Sequence, residues 1–91
     1  MKHVFLICRG DEDTFQAENY SGEELVILVV VDAKGLAGDA DKKISVLRHK
    51  AEQLSMALAP KGVPNRVIMQ WGDPREELNR CLEREGAAQL L

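Results

Sequence analysis

Three stretches of this chain set glycine beside charge in a way that could serve chemistry. Arg9-Gly10 closes an apolar run, Gly35-Leu36-Ala37-Gly38 leads toward Lys42 and Lys43, and Gly72-Asp73-Pro74-Arg75 opens an amphipathic segment. Glycine lets successive backbone N–H groups turn toward an anion, and a neighbouring cation adds attraction, so phosphate is the ligand class to test at each. The Gly35 to Gly38 stretch lacks the Walker spacing and the third glycine of a dinucleotide fingerprint, and it reads as an ordinary turn. Asp73 opposes an anion and is better placed to cap a helix. Arg9 reads as a solvated cation at a strand end. His3 and His49 have no companions at metal-ligand spacing, and no Ser/His/Asp or Cys/His grouping supplies a nucleophile with its base, so the reading is noncatalytic and metal-free. The acids Asp11, Glu12, Asp13, Glu18, Glu23 and Glu24 read as a solvated flank, and Trp71 as a core or interface residue.

The composition bounds what these residues can belong to. Ninety-one residues make one small domain with room for a single core. A formal net charge of −3 with no basic stripe argues against a nucleic-acid partner. Cys8 and Cys81 lack CxxC spacing, and no secretory signal is present, so a reduced, cytoplasmic setting is expected. No apolar run is long enough to span a bilayer.

The elements that must position the site are organised around Leu25 to Val31, an unbroken β-branched run closed by Asp32. Such a run predicts a strand buried on both faces, hence a parallel sheet with helices on either side. His3 to Cys8 predicts the first strand. The segment from Asp11 to Glu24 holds one helical turn at most, started by Asp13 and Gln16 and stopped by Ser21 and Gly22. It is close to the shortest parallel crossover, so an antiparallel return of strand one is a competing expectation. After a loop over 33–38, Asp39 or Asp41 caps a helix whose Ile44, Leu47, Ala51, Leu54 and Leu58 recur at helical spacing and which Pro60 and Gly62 end. Arg66 to Trp71 predicts a third strand. Asp73, Pro74 and Glu76 then form a helix start, Leu78, Cys81 and Leu82 its buried stripe, and Gly86 its stop. Ala87 to Leu91 begins a fourth strand. The expected fold class is therefore α/β, a small open parallel sheet of three to four strands with flanking helices, an incomplete doubly wound arrangement.

Most of residues 23 to 91 resemble the universal stress protein family, and the first strand does so more weakly. The resemblance rests on Glu23-Glu24-Leu25 leading into the valine-rich strand, on the helix running to Pro60-Lys61-Gly62-Val63, and on Gly72-Asp73-Pro74-Arg75-Glu76-Glu77-Leu78 running on to Glu85-Gly86-Ala87. It implies ATP held through an Asp at the end of strand one, a Val in strand two, and a glycine-rich loop after strand four. Here Arg9 stands at the Asp position, Val30 retains the Val, and the glycine-rich loop is absent, as is a full helix after strand one. The chain thus resembles a minimal, truncated member for which ATP binding of the usual kind is not supported.

The expectation is a noncatalytic, stress-related or regulatory module that needs no cofactor and self-associates as a homodimer or higher oligomer, because strand one would otherwise be an uncovered sheet edge. The alternative is a nucleotide or phosphate-ligand domain binding ATP, ADP or AMP at the carboxyl edge of the sheet, around Ile7, Arg9, Val30 and Gly72.

Overall fold

A computed structural model describes residues 2–32, 40–86 and 89–91. Strand β1 (Lys2–Ile7) leads to a single helical turn, α1 (Phe15–Glu18), then β2 (Glu24–Val31), α2 (Ala40–Leu58), β3 (Asn65–Trp71), α3 (Pro74–Arg84) and the short β4 (Gln89–Leu90). The strands form one sheet in the order β3-β2-β1-β4, and every pairing is parallel. The expected fold class is the one observed, and the short link after β1 does complete a parallel crossover. The proposed loop at Gly35 to Gly38 and the cap at Asp39 lie outside the described residues.

β2 sits in the middle because every side chain from Leu25 to Val31 is fully buried. Its residues alternate between two cores, as the period of a strand requires. Leu25, Ile27, Val29 and Val31 face the layer made by α1 and α2, where Leu47, Ala51, Leu54 and Leu58 meet them with Phe5, Ile7, Ala17 and Tyr20. Val26, Leu28 and Val30 face α3, with Val4 and Cys81 buried beside them and Leu78 and Leu82 packed against the cluster. Full burial of each such aliphatic side chain contributes about 1.5–3 kcal/mol, which is why an apolar run of this length dictates the layering.

The helix boundaries follow from local chemistry. Asp73 accepts from the N–H groups of Arg75 (2.9 Å) and Glu76 (3.1 Å), and Pro74 occupies the first helical position. α2 stops at Leu58, where a 3₁₀ turn (Ala59–Lys61) containing Pro60 leads to Gly62 in the left-handed conformation. α1 survives as one turn because Ala17 is buried, and Phe15 N–H donates to the Asp13 carboxylate at 2.9 Å.

One expectation is corrected. β1 is not uncovered along its whole length: β4 pairs with it at His3 and Val4, and Leu91 N–H donates to the Val4 carbonyl at 2.8 Å, while Phe5 to Ile7 have no strand on that side among the described residues. The long strand that is open along its whole length among the described residues is β3, at the edge opposite the two-residue β4.

Candidate functional site

The carboxyl end of a parallel sheet is where loops leave strands and helices begin, so open α/β folds place ligands there. The structure brings the expected positions to that end. Ile7 is the last residue of β1, Arg9 follows it, Val30 is the penultimate residue of β2, and Gly72 directly follows β3. They do not form one surface. Ile7 is fully buried in the core on the α2 side of the sheet, and Val30 is fully buried in the core on the α3 side. Arg9 turns outward and pairs with Asp11 (3.2 Å) and, more loosely, with Glu12 (3.9 Å). Gly72 donates its N–H to the Val31 carbonyl at 3.0 Å, and a Cβ built on it would stand 3.2 Å from Oε2 of Glu77.

The group that organises this end is Glu12. Its Oε2 accepts the backbone N–H groups of Cys8 (2.9 Å) and Arg9 (2.8 Å), and its Oε1 accepts that of Gly10 (2.9 Å). Three successive amides therefore converge on one carboxylate, the geometry by which a backbone concavity holds an anion. Gly10 permits it by adopting φ of +97°. A Cβ at Gly10 would also lie 2.8 Å from Cγ1 of Val46, so glycine is required twice over. The Glu12 side chain is only 12% exposed. Burial alone would raise its pKa, but the backbone hydrogen bonds outweigh that and hold the carboxyl below its ordinary value. The adjacent Cys8 thiol is pushed up, first by burial and then by the Glu12 charge, which makes it a poor nucleophile. Lys43 of α2 donates to the Arg9 carbonyl at 3.0 Å and fastens the loop to the helix.

The β3 side of the same end is acidic as well. Glu77 is largely buried and accepts from Arg80 at 2.6 Å, and Asp73 caps α3. Carboxylates thus line the end of the sheet where a nucleotide phosphate would have to come. An open groove of about 440 Å³ lies along the outer face of α2, lined by Gly10, Lys42, Ser45, Val46, His49, Lys50 and Gln53. Among the described residues, no group of three or more His, Cys, Asp or Glu side chains is arranged to hold a metal ion. His3 instead meets the Tyr20 hydroxyl at 2.9 Å through Nδ1, and that hydroxyl donates to the Glu24 carbonyl at 3.1 Å. Both cysteines are free thiols, and no helix of the described residues is long and apolar enough to cross a membrane.

By composition Glu12 is one of several solvated acids, and in the fold it alone among them is seated on three successive amides. A strand followed by Arg-Gly and, two residues after the glycine, by a carboxylate is the signal that could have singled it out. Compared with known families, curated proteins and solved structures, the chain matches none.

Proposed function

We propose that this chain is a noncatalytic, universal-stress-protein-like module with a stress-related or regulatory role in the cytoplasm, working through self-association and without a bound nucleotide. The observation that carries this reading is the Glu12 carboxylate seated on the amides of Cys8, Arg9 and Gly10. It places a negative charge of the protein's own at the head of β1, where a phosphate would otherwise find N–H donors. The paired Arg9 and the acids Asp73 and Glu77 add to the same effect. Self-association is supported by β3, which offers a continuous strand edge with Val67 and Trp71 in solvent. Two experiments test the reading together. Thermal melts with millimolar ATP, ADP or AMP are expected to leave Tm unchanged, because a ligand that does not bind the native state cannot stabilise it. Light scattering at micromolar concentrations is expected to give twice the chain mass or more. A clear rise in Tm, or a monodisperse monomer, counts against it.

One observation favours a second reading, a phosphate-ligand domain in which Glu12 holds the seat until a ligand arrives. Three converging amides are as suited to a phosphate oxygen as to a carboxylate. In that case Glu12→Ala empties the seat, and millimolar inorganic phosphate raises the Tm of the variant above that of the same variant in chloride. An equal response of variant and parent to phosphate removes this reading.

A further inference from the structure

The hydrogen-bond alternation of β3 shows which of its backbone groups have no strand to bond among the described residues. Leu25 N–H donates to the Pro64 carbonyl at 2.9 Å and Gly72 N–H to the Val31 carbonyl at 3.0 Å, with an unbroken register between. In a parallel pair this directs the N–H and C=O groups of Arg66, Ile68 and Gln70 toward β2. Those of Asn65, Val67, Met69 and Trp71 point away from the sheet.

Natural edges are normally shielded by proline, bulges, outward charge or a covering element. β3 contains no proline or bulge, and its one charged residue, Arg66, is engaged by Glu24 (3.1 Å) and by Glu85. Val67 is 43% exposed and Trp71 55%, a high value for an indole beside a core.

We infer that β3 is the self-association surface, pairing antiparallel with β3 of a second copy about a two-fold axis beside Ile68. The inference rests on the self-association reading and names the strand that carries it. The register is set by the outward groups themselves. Centred on Ile68, Val67 lies across from Met69 of the second copy and Asn65 across from its Trp71, so every outward-facing N–H and C=O of the strand is bonded. Centred on Val67 or Met69, the register leaves Trp71 or Asn65 without a counterpart. Charge agrees with the same choice, since Arg66 then faces Gln70 and the two arginines stay apart. On the α2 flank, Ser55 bonds Asn65 at 2.5 Å, and helical spacing from Ser55 puts Glu52 and Arg48 on that side, one charge of each sign. Neither copy therefore presents a wall of like charge, as a closed isologous contact requires.

Trp71 is the chain's only tryptophan, so its emission reports the contact directly. Sedimentation velocity and fluorescence of the full chain, from low micromolar to near-millimolar concentration, are expected to show a dimer whose Trp71 emission moves to the blue as it forms. Val67→Lys sets ammonium groups against the partner strand and is expected to weaken dimerisation roughly a hundredfold while circular dichroism stays native. Leu90→Lys, on the opposite edge, is expected to leave the dimer intact. A dimer that Leu90→Lys breaks and Val67→Lys does not, one that neither breaks, or one whose Trp71 emission never shifts, overturns the inference and leaves the broader reading standing. A monomer at every concentration overturns both. Should Val67→Lys fail to fold, the wild-type emission shift alone decides.

Discussion

The two ends of the sheet each hold a carboxylate below its usual pKa, and they do it by different physics. At the carboxyl end, Glu12 is gripped by neutral backbone amides. At the amino end, Glu85 receives Lys2 at 3.1 Å and Arg66, with Glu24 sharing both cations. Those hydrogen bonds, Lys2 first, hold the Glu85 carboxyl down against its burial. Amide dipoles fixed by the fold do not rearrange and are little screened by salt, whereas long cationic side chains cost rotamer entropy and are screened. One end is built into the backbone, and the other is assembled from side chains.

The largest effect that separates the ends is expected from Glu12→Ala, which strips the acceptor from three amides at once. Part of the loss is recovered by water, since the Arg9 N–H is exposed, so about 2 kcal/mol is expected, a fall of about 10 °C in Tm for a domain of this size. A fall under a degree or two would mean that the amides are as well served by solvent as by Glu12. Gly10→Ala attacks the same seat from the backbone side. The left-handed φ and the 2.8 Å approach to Val46 together predict a loss of about 1–2 kcal/mol in a urea titration, with the slope of the transition unchanged.

At the amino end, Glu85→Gln is expected to cost less, about 1 kcal/mol at low salt. The Glu85 side chain is 8% exposed, but those of Lys2 and Arg66 are 32% and 49% exposed, so solvent already competes for both cations. The same loss measured in molar salt is expected to shrink toward zero, while that of Glu12→Ala persists. Equal salt sensitivity at the two positions would erase the distinction.

Acid titration sharpens it further. Both carboxyls are lowered from an ordinary value of 4.5, so each contributes stability that is complete above that pH and is lost as pH falls through its folded value. In high salt the Glu85 share of that acid-side loss fades. Glu12→Gln is then expected to flatten the stability profile below pH 4.5, and Glu85→Gln to leave it nearly as steep as the parent.

Where sequence alone served well, the signal was periodic and local. The apolar run of β2 required cover on both faces, the spacing from Ile44 to Leu58 fixed the buried stripe of α2, and Asp73-Pro74 placed the start of α3 to the residue. What it could not show was which neighbour each strand lacks. β3 reads as apolar as β1 does, yet β1 gains β4 at His3 and Val4 while β3 gains nothing beyond β2 among the described residues. Strand order is a long-range outcome, and hydrophobicity does not encode it. Glu12 was hidden for another reason. It sits among acids with the same composition as a solvated flank, and only the backbone turn at Gly10 converts one of them into a buried acceptor. Ile7 and Val30 look like partners by their positions near strand ends, but the alternation of side chains sends them to opposite layers.

The smallest effect is expected at the residue that looked most like a ligand contact. Arg9 keeps its guanidinium 71% exposed and pairs mainly with Asp11, itself 78% exposed. Its contribution to the Glu12 seat is its backbone N–H, which any residue but proline supplies. Arg9→Ala is therefore expected to change stability by less than about 0.5 kcal/mol and to leave the acid limb of the Glu12 profile in place. Arg9→Pro removes that N–H while discarding the same charge, so its excess loss over Arg9→Ala in a paired urea titration measures the amide's share. If Arg9→Ala proves as damaging as Glu12→Ala, side-chain charge holds the carboxyl end too, and the contrast between the two ends collapses.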